Sequence, residues 1–394
     1  LSIFKIQSIQ FTLDAFLYPY RMKITEVKTK ADKKAFLDVA RIIYKNDSNW
    51  ICPLDNDIEA VFDPEKNLFF KHGQCTRWIL TDDNGQLIGR VAAFINEKKA
   101  YNYEQPTGGM GFFESMNDEK VAFLLFDTAK DWLRSRGMKA MDGPINFGEN
   151  DNFWGLLADG FVPPSYGMNY NPPYYVGFFE KYGFKTQYEQ ITNHVDAHKP
   201  FPERFTKIAQ WVAQKPGYEF KHLKASQIEK FAEDFMEIYN DGWKDFENFV
   251  PIVKDTILES FRKMKPLMDE RLIWFAYVNG EPASFVVILP DANQMIKGLN
   301  GKLNLIGKLK FVYNKWKGVK RMRAIVMGTK QKYQKHGLES GLFIKLKEYI
   351  LPLKQYDELE LSWVGDFNDK MIALHHSMGG VFGKKHLTMR YIFN

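Results

Sequence analysis

Apolar positions along the chain fall into two alternating rhythms. Over Ser226–Asn240 they recur at helical spacing, with Ile228, Phe231, Phe235 and Ile238 on one face, which predicts an amphipathic helix. Short runs rich in β-branched and aromatic residues surround it, at Tyr218–Lys224, Leu272–Val278 and Pro282–Leu289. The last two are joined by Asn279-Gly280, a strong short-range hairpin signal. Pro251–Met268 reads as a second helix, and Met322–Thr329, Leu359–Val364 and Leu387–Phe393 as strands separated by helices over Ser340–Leu351 and Asn368–Met378.

The first half repeats this order. Strand Lys23–Val27 precedes a helix over Ala31–Tyr44, and Trp78–Thr81 turns through Asn84-Gly85 into Leu87–Ile95. Strand Gly111–Glu114, a helix over Glu119–Arg136, a strand near Met138–Asp142, a long loop, the helix Tyr174–Tyr182 and strand Gln187–Val195 follow. A β-α-α-β-β-β-α-β-α-β order used twice predicts an α/β fold of two tandem domains, each a mixed, mostly antiparallel twisted sheet flanked by helices. The expected limits are residues 22–197 and 218–394, joined by a linker over 198–217 that holds a helix near Pro202–Gln214. Residues 1–21 read as an N-terminal extension. Each half has one strand after its last helix, so each sheet is expected to draw on the other half for completion.

Composition narrows the class. At 394 residues, with 45% hydrophobic and 26% charged residues, the chain is ordinary globular protein. Cys52 and Cys75 are its only cysteines, which rules out a disulfide framework, and no His/Cys cluster has zinc spacing. No metal is expected, and a reduced, cytoplasmic protein is. No apolar run approaches the ~18 residues of a membrane span. The net charge of +6 is local: Lys297–Arg323 carries nine basic and no acidic residues, leaving −3 elsewhere. Phe311, Tyr313 and Trp316 interleave with these cations, a composition that suits RNA or another anionic surface, with nucleic acid the lesser reading. Leu299, Leu303, Leu305, Ile306 and Leu309 imply that part of this insertion packs on the body or inserts at a membrane surface.

The stretch from Gly328 to Gly341 lies between a predicted strand and a predicted helix. Such a junction offers unpaired N–H groups and the positive end of a helix dipole, a ready site for phosphate. Gln334-Lys335-His336-Gly337-Leu338 resembles the first five positions of the Q/R-x-x-G-x-G/A pyrophosphate loop of the GNAT acyltransferase superfamily, with Glu339 in place of the small sixth residue. Asn368–Gly380 resembles that superfamily's N-x-x-A-x-x-L-Y-x-x-x-G-F helix, with His375 at the tyrosine position. Phe179-Glu180-Lys181-Tyr182-Gly183-Phe184 is similar to the end of the same helix in the first half, where the diphosphate glycine is missing. From Met22 onward the chain resembles the uncharacterised tandem-GNAT proteins of bacteria, through Gly143-Pro144-Ile145-Asn146, Asn150-Asp151, Gly155-Leu156-Leu157, Gly160-Phe161, Pro163-Pro164 and Tyr170-Asn171-Pro172-Pro173-Tyr174-Tyr175.

The resemblance implies a degenerate first GNAT-like domain and a second that binds acetyl-CoA or another acyl-CoA as co-substrate. Met327 and Thr329 would lie along the pantetheine, and Gln334, Lys335, His336, Gly337, Glu339, Ser340, Gly341 and Asn368 around the coenzyme. His375, with an ordinary imidazole pKa near 6.5, is the candidate general acid toward the departing thiolate. No acidic residue on Met322–Thr329 offers itself as general base. Glu149, Asn150, Asp151, Tyr170 and Tyr174, in the Gly- and aromatic-rich loop, are the candidate substrate contacts. The implied activity is acyl transfer, most simply of an acetyl group, to a small-molecule or peptide amine. Two readings stand beside it: tRNA-dependent aminoacyl transfer served by the basic insertion, and a ligand-binding protein whose acyltransferase site has decayed.

Overall fold

The computed structural model describes residues 22–148, 153–245 and 251–394. Its contacts divide the chain into two compact units. One runs to Gln187 and includes Asn300–Lys302 and His386–Asn394; the other comprises Tyr188–Leu299 and Leu303–Lys385. The expected extension 1–21 lies outside the described residues.

In the first unit, β1 (Lys23–Glu26) leads into α1 (Lys30–Ile43), whose start is fixed by a reciprocal cap between Thr29 and Asp32. The short α2 (Asp55–Val61) follows, then the hairpin β2 (Gly73–Thr81) and β3 (Leu87–Asn96), a single-turn α3 (Glu97–Ala100) and β4 (Thr107–Ser115). Next come α4 (Glu119–Arg134), β5 (Ala140–Gly143), β6 (Leu156–Asp159), α5 (Tyr174–Tyr182) and the start of β7 (Lys185–Asp196). The sheet runs β1-β2-β3-β4-β5, antiparallel except for β4 and β5. α4 buries Val121, Ala122, Leu125, Phe126, Ala129 and Leu133 against it, the helical stripe that the sequence shows.

The second unit holds α6 (Glu203–Ala213), β8 (Tyr218–His222), α7 (Ile228–Trp243), α8 (Lys254–Met264), β9 (Ile273–Val278), β10 (Glu281–Pro290) and α9 (Ala292–Ile296). It continues through α10 (Leu305–Lys317), β11 (Arg321–Thr329), α11 (Leu338–Ile350), β12 (Glu358–Glu360), β13 (Val364–Gly365), α12 (Asp369–Ser377) and β14 (Val381–Ile392). Its strands follow the order β7-β12-β11-β10-β9-β8. The β9–β10 turn has positive φ at both Asn279 (50°) and Gly280 (83°), as a two-residue hairpin of this type requires.

β5 receives its antiparallel partner from the C-terminal end of β14, with Gly143 opposite Met389, and β12 receives its own from β7, with Glu358 opposite Asp196. The last strand of each half thus completes a sheet begun by the other half, as the single terminal strands implied. The expected strand Leu359–Val364 is instead broken: β12 ends at Glu360 and β13 is only Val364–Gly365. That break shapes the site below.

Candidate functional site

In the second unit β11 and β12 are parallel for three residues, Arg321–Arg323 against Glu358–Glu360. Their sequences, Arg-Met-Arg and Glu-Leu-Glu, fit that register. Met322 and Leu359 enter the core, while Arg321 meets Glu358 (2.5 Å) and Arg323 lies 3.7 Å from Glu360. Glu360 also accepts from the buried Lys384 at 2.7 Å. Burial works against its charge, yet Lys384, Arg323 and Arg321 together hold the carboxyl down at about 2.

Beyond Glu360 the two strands part. Leu361 donates its N–H to Asn193 O (2.8 Å), Ser362 Oγ to Ala324 O, and Val364 pairs with Ile191 of β7. The far half of β11 is left with no strand beside it on that edge among the described residues. The fork opens into a cleft of about 280 Å³, close to the ~300 Å³ at which small-molecule sites begin. Its walls are mostly apolar, including Met327, Phe343, Leu361, Phe367 and Met371.

Three of the expected site residues line this cleft: Met327, Asn368 and His375. The Asn368 side chain also caps α12 by accepting from Met371 N (3.2 Å). His375 is buried, and its Nδ1 faces Asn193 Nδ2 at 3.3 Å. Burial, with a smaller contribution from His376, lowers the imidazole to about 4. That lies below the ordinary imidazole value near 6.5 and favours the uncharged ring at pH 7.

The other expected coenzyme contacts sit at the end of β11 and the start of α11. Lys335 and Gly337 both adopt left-handed backbone, with φ of 72° and 75°. Only Gly337 does so without steric cost. Gly341 allows the Phe220 ring to pack on α11, since a Cβ there would lie 2.5 Å from it. Ser340 and Glu339 occupy the first turn of the helix. Thr329 Oγ1 donates to Glu339 Oε1 at 2.8 Å and shares a second hydrogen bond with Ser284, so the Glu339 carboxylate is held at the strand end. Gln334 closes the preceding turn through its N–H to Lys330 O, and His336 Nδ1 meets Tyr218 OH at 2.9 Å. Lys330, buried, is bound by Glu237 and Glu281, and Glu281, drawn down to about 2 chiefly by its hydrogen bonds from Lys330 and Lys332, also accepts from Tyr333 OH.

The first unit has the same fork in closed form. β4 and β5 pair over Thr107–Gly109 and Ala140–Asp142, after which the chain turns back across β4, with Ile145 N donating to Met110 O (2.8 Å). Gly111 makes this approach possible, because a Cβ there would stand 2.0 Å from the Ile145 carbonyl oxygen. The remaining cavity is about 40 Å³, room for water and not for a substrate. Arg90, Glu114 and Tyr175 line it, as part of a group that the sequence reading missed. Glu114 accepts from Tyr44 OH (2.7 Å) and Tyr175 OH (2.9 Å), and meets Arg90 at 3.3 Å, all four buried. Desolvation outweighs Arg90 and the two phenols and raises the Glu114 carboxyl above its usual range. Arg90 and Glu114 lie opposite each other on β3 and β4, a cross-strand pairing that two aligned strands would have exposed.

Of the expected substrate contacts, Tyr170 OH donates to Asp47 (2.7 Å) and Tyr174 OH to Ser115 O (2.9 Å). Glu149, Asn150 and Asp151 lie outside the described residues. Among those described, no group of three His, Cys, Asp or Glu is placed to hold a metal, and no helix is long and apolar enough to cross a membrane.

No protein-family model matches the chain. It is 31% identical over 376 residues to a protein of Caulobacter vibrioides (strain NA1000 / CB15N) named bacterial ceramide synthase, spanning 92% of this chain and 95% of that one. It is 28% identical over 369 residues to Protein YghO of Escherichia coli (strain K12), spanning 91% and 93%. Among solved structures it is similar to a tandem GNAT protein from the clavulanic acid biosynthesis pathway, with a TM-score of 0.54, 10% identity, and 94% and 98% of the two chains covered. A GCN5-related N-acetyltransferase from Sphaerobacter thermophilus gives a TM-score of 0.51 at 9% identity, covering 94% and 95%. The fold is thus the tandem GNAT fold. With nearly a third of its residues shared over almost the whole of both sequences, the chain belongs to the family of the Caulobacter bacterial ceramide synthase.

Proposed function

We propose that this chain is an acyl-CoA-dependent N-acyltransferase whose second unit takes the acyl-CoA, and whose acceptor is the amino group of a long-chain amino alcohol. The observation that carries the reading is the fork between β11 and β12, which opens an apolar cleft beside an unpaired strand edge. An acyl or pantetheine chain needs such a slot, and the edge offers it backbone donors and acceptors. The left-handed turn at Gly337 and the first turn of α11 suit a diphosphate. The Glu339 carboxylate counts against close approach there, although its hydrogen bond to Thr329 holds it to the strand end. The acceptor class is drawn from the 31% identity to a protein named for ceramide synthesis, a ceramide being the amide of a fatty acid with a long-chain amino alcohol.

In this reaction the amine nitrogen attacks the thioester carbonyl. A C–N bond forms, the C–S bond breaks, and the sulfur takes up the proton that nitrogen releases. No protein nucleophile is needed, so positioning and polarisation of the carbonyl carry the catalysis. His375, neutral, contributes as a hydrogen-bond partner in the cleft wall and not as the source of the proton.

The test is calorimetric titration with acyl-CoAs of increasing chain length, on wild type, Gly337→Trp and Met371→Trp, followed by mass spectrometry of the product with a C18 2-amino-1,3-diol. The expected result is binding that Gly337→Trp abolishes for every chain length and that Met371→Trp weakens most for long chains, with amide formed by wild type. Absence of binding to any acyl-CoA at millimolar concentration would overturn the proposal. Salt-dependent tRNA binding in its place would favour aminoacyl transfer.

A further inference from the structure

The helix α10 shows most of its large apolar side chains to solvent. Asn304 caps its start by accepting from Gly307 N (2.9 Å), and the side turned to the rest of the unit bears Gly307, Asn314 and the partly buried Phe311. Gly307 is buried there, and Asn314 Nδ2 donates to the carbonyls of Met295 (2.9 Å) and Lys297 (3.0 Å). The outward side carries six other large apolar residues. Leu305, Ile306, Leu309, Val312, Tyr313 and Trp316 are each more than half exposed, Trp316 by 81%. Their spacing of i, i+1, i+4, i+7, i+8 and i+11 makes one continuous stripe, spanning about 120° of arc at ~100° per residue.

The lysines fall on the borders of that stripe. At the same angular step, Lys308 and Lys315 lie along one edge and Lys310 and Lys317 along the other, with Gly307 and Asn314 on the opposite side. No acidic residue occurs anywhere from Lys297 to Arg323. A monomer surface seldom leaves so contiguous an apolar stripe in water. An apolar stripe edged on both sides by lysines has the form of a helix lying in a membrane interface. There the apolar side enters the acyl boundary while the ammonium groups reach anionic headgroups.

We infer that α10 is a membrane-docking helix that seats this protein on an anionic lipid surface, with the Leu305–Trp316 stripe inserted and Lys308 and Lys317, one on each edge, at the headgroup level, while Lys310 and Lys315 are bound to Gly298 O (2.9 Å) and Pro266 O (2.5 Å) of the unit itself. The inference goes beyond the proposed acyl transfer and is read without turnover, so either can fail while the other stands. RNA, the alternative for the basic residues, would pair the cations with phosphate and leave Leu305, Ile306, Leu309 and Val312 without a role. A second copy of the chain would bring the same lysines face to face, and this repulsion disfavours it.

The test is flotation of the purified full chain with vesicles of equal parts phosphatidylglycerol and phosphatidylethanolamine, and with phosphatidylcholine vesicles, while following tryptophan emission. Wild type is expected to float with the anionic vesicles, at least about tenfold more tightly than with phosphatidylcholine, and with a blue shift. Leu309→Glu/Trp316→Glu, at exposed positions, should fold normally by circular dichroism and lose flotation. Lys308→Gln/Lys317→Gln should weaken it and blunt its salt dependence. Flotation unchanged in the Glu variant, or none in wild type, overturns the inference. So does a wild-type dimer in analytical ultracentrifugation that the Glu variant dissolves without any vesicle binding, or tRNA binding that needs the lysines but not the stripe.

Discussion

Replacing Glu360 by glutamine tests what holds the fork together. Glu360 is the last residue of β12 before the strands separate; it is 2% exposed, and its carboxylate is bound by Lys384 (2.7 Å) and faced by Arg323 (3.7 Å). Glutamine keeps the shape and removes the charge, leaving a buried ammonium with no anion. Breaking one side of a buried pair costs about 3–5 kcal/mol, more than its Coulomb energy alone suggests, because the remaining charge is stranded. The same cations hold the folded carboxyl at about 2 against its ordinary 4.5, a difference that corresponds to about 3 kcal/mol. Because the folded pKa is the lower one, this stability is present above pH 4.5 and is lost as pH drops toward 2. Urea unfolding of wild type and Glu360→Gln at pH 7 and pH 3, followed by circular dichroism, measures both. Expected are a loss of about 3 kcal/mol at pH 7 that narrows at pH 3, and partial recovery in Glu360→Leu/Lys384→Met, where neither charge remains. A Glu360→Gln protein within 1 kcal/mol of wild type at pH 7 would refute the reasoning.

Three further outcomes are expected. His375→Asn should flatten the stability profile between pH 6.5 and 4: the folded imidazole is lowered to about 4, so wild type loses stability as pH falls through that window, visible in acid-range melting curves. Tyr44→Phe removes a donor to the buried Glu114 and to Tyr170 O, and should cost about 1.5–3 kcal/mol in chemical denaturation without changing helix content. Gly341→Ala places a methyl 2.5 Å from the Phe220 ring; the ring must move, and a net loss of about 1–2 kcal/mol should appear in urea titration, after the helix-propensity gain of alanine.

Much of the fold was legible because its signals are local. The two Asn-Gly turns, the stripe of α4 and the repeated element order need no knowledge of distant residues. The strand over Leu359–Val364 misled because six apolar-rich residues look continuous. What splits them is the claim that Asn193 and Ile191 make on Leu361 and Val364. The helix α10 went unread as a helix because its apolar face points to solvent, whereas periodicity is ordinarily taken to mark a buried face. The lowered imidazole of His375 could not be read from the sequence, because it comes chiefly from burial in the folded unit. The buried Glu114 group was missed because an acid was sought only in the second half.

The late arrival of β14 sets a timetable for synthesis. Gly143 pairs with Met389, 389 − 143 = 246 residues later. At ribosomal speeds of about 5–20 residues per second, β5 waits roughly 12–50 s for its neighbour. Through that interval its outer N–H and C=O groups form an open edge of the kind that recruits stray strands. A chain cut between Gly143 and Met389 therefore keeps the whole of β5 and lacks the strand that covers it.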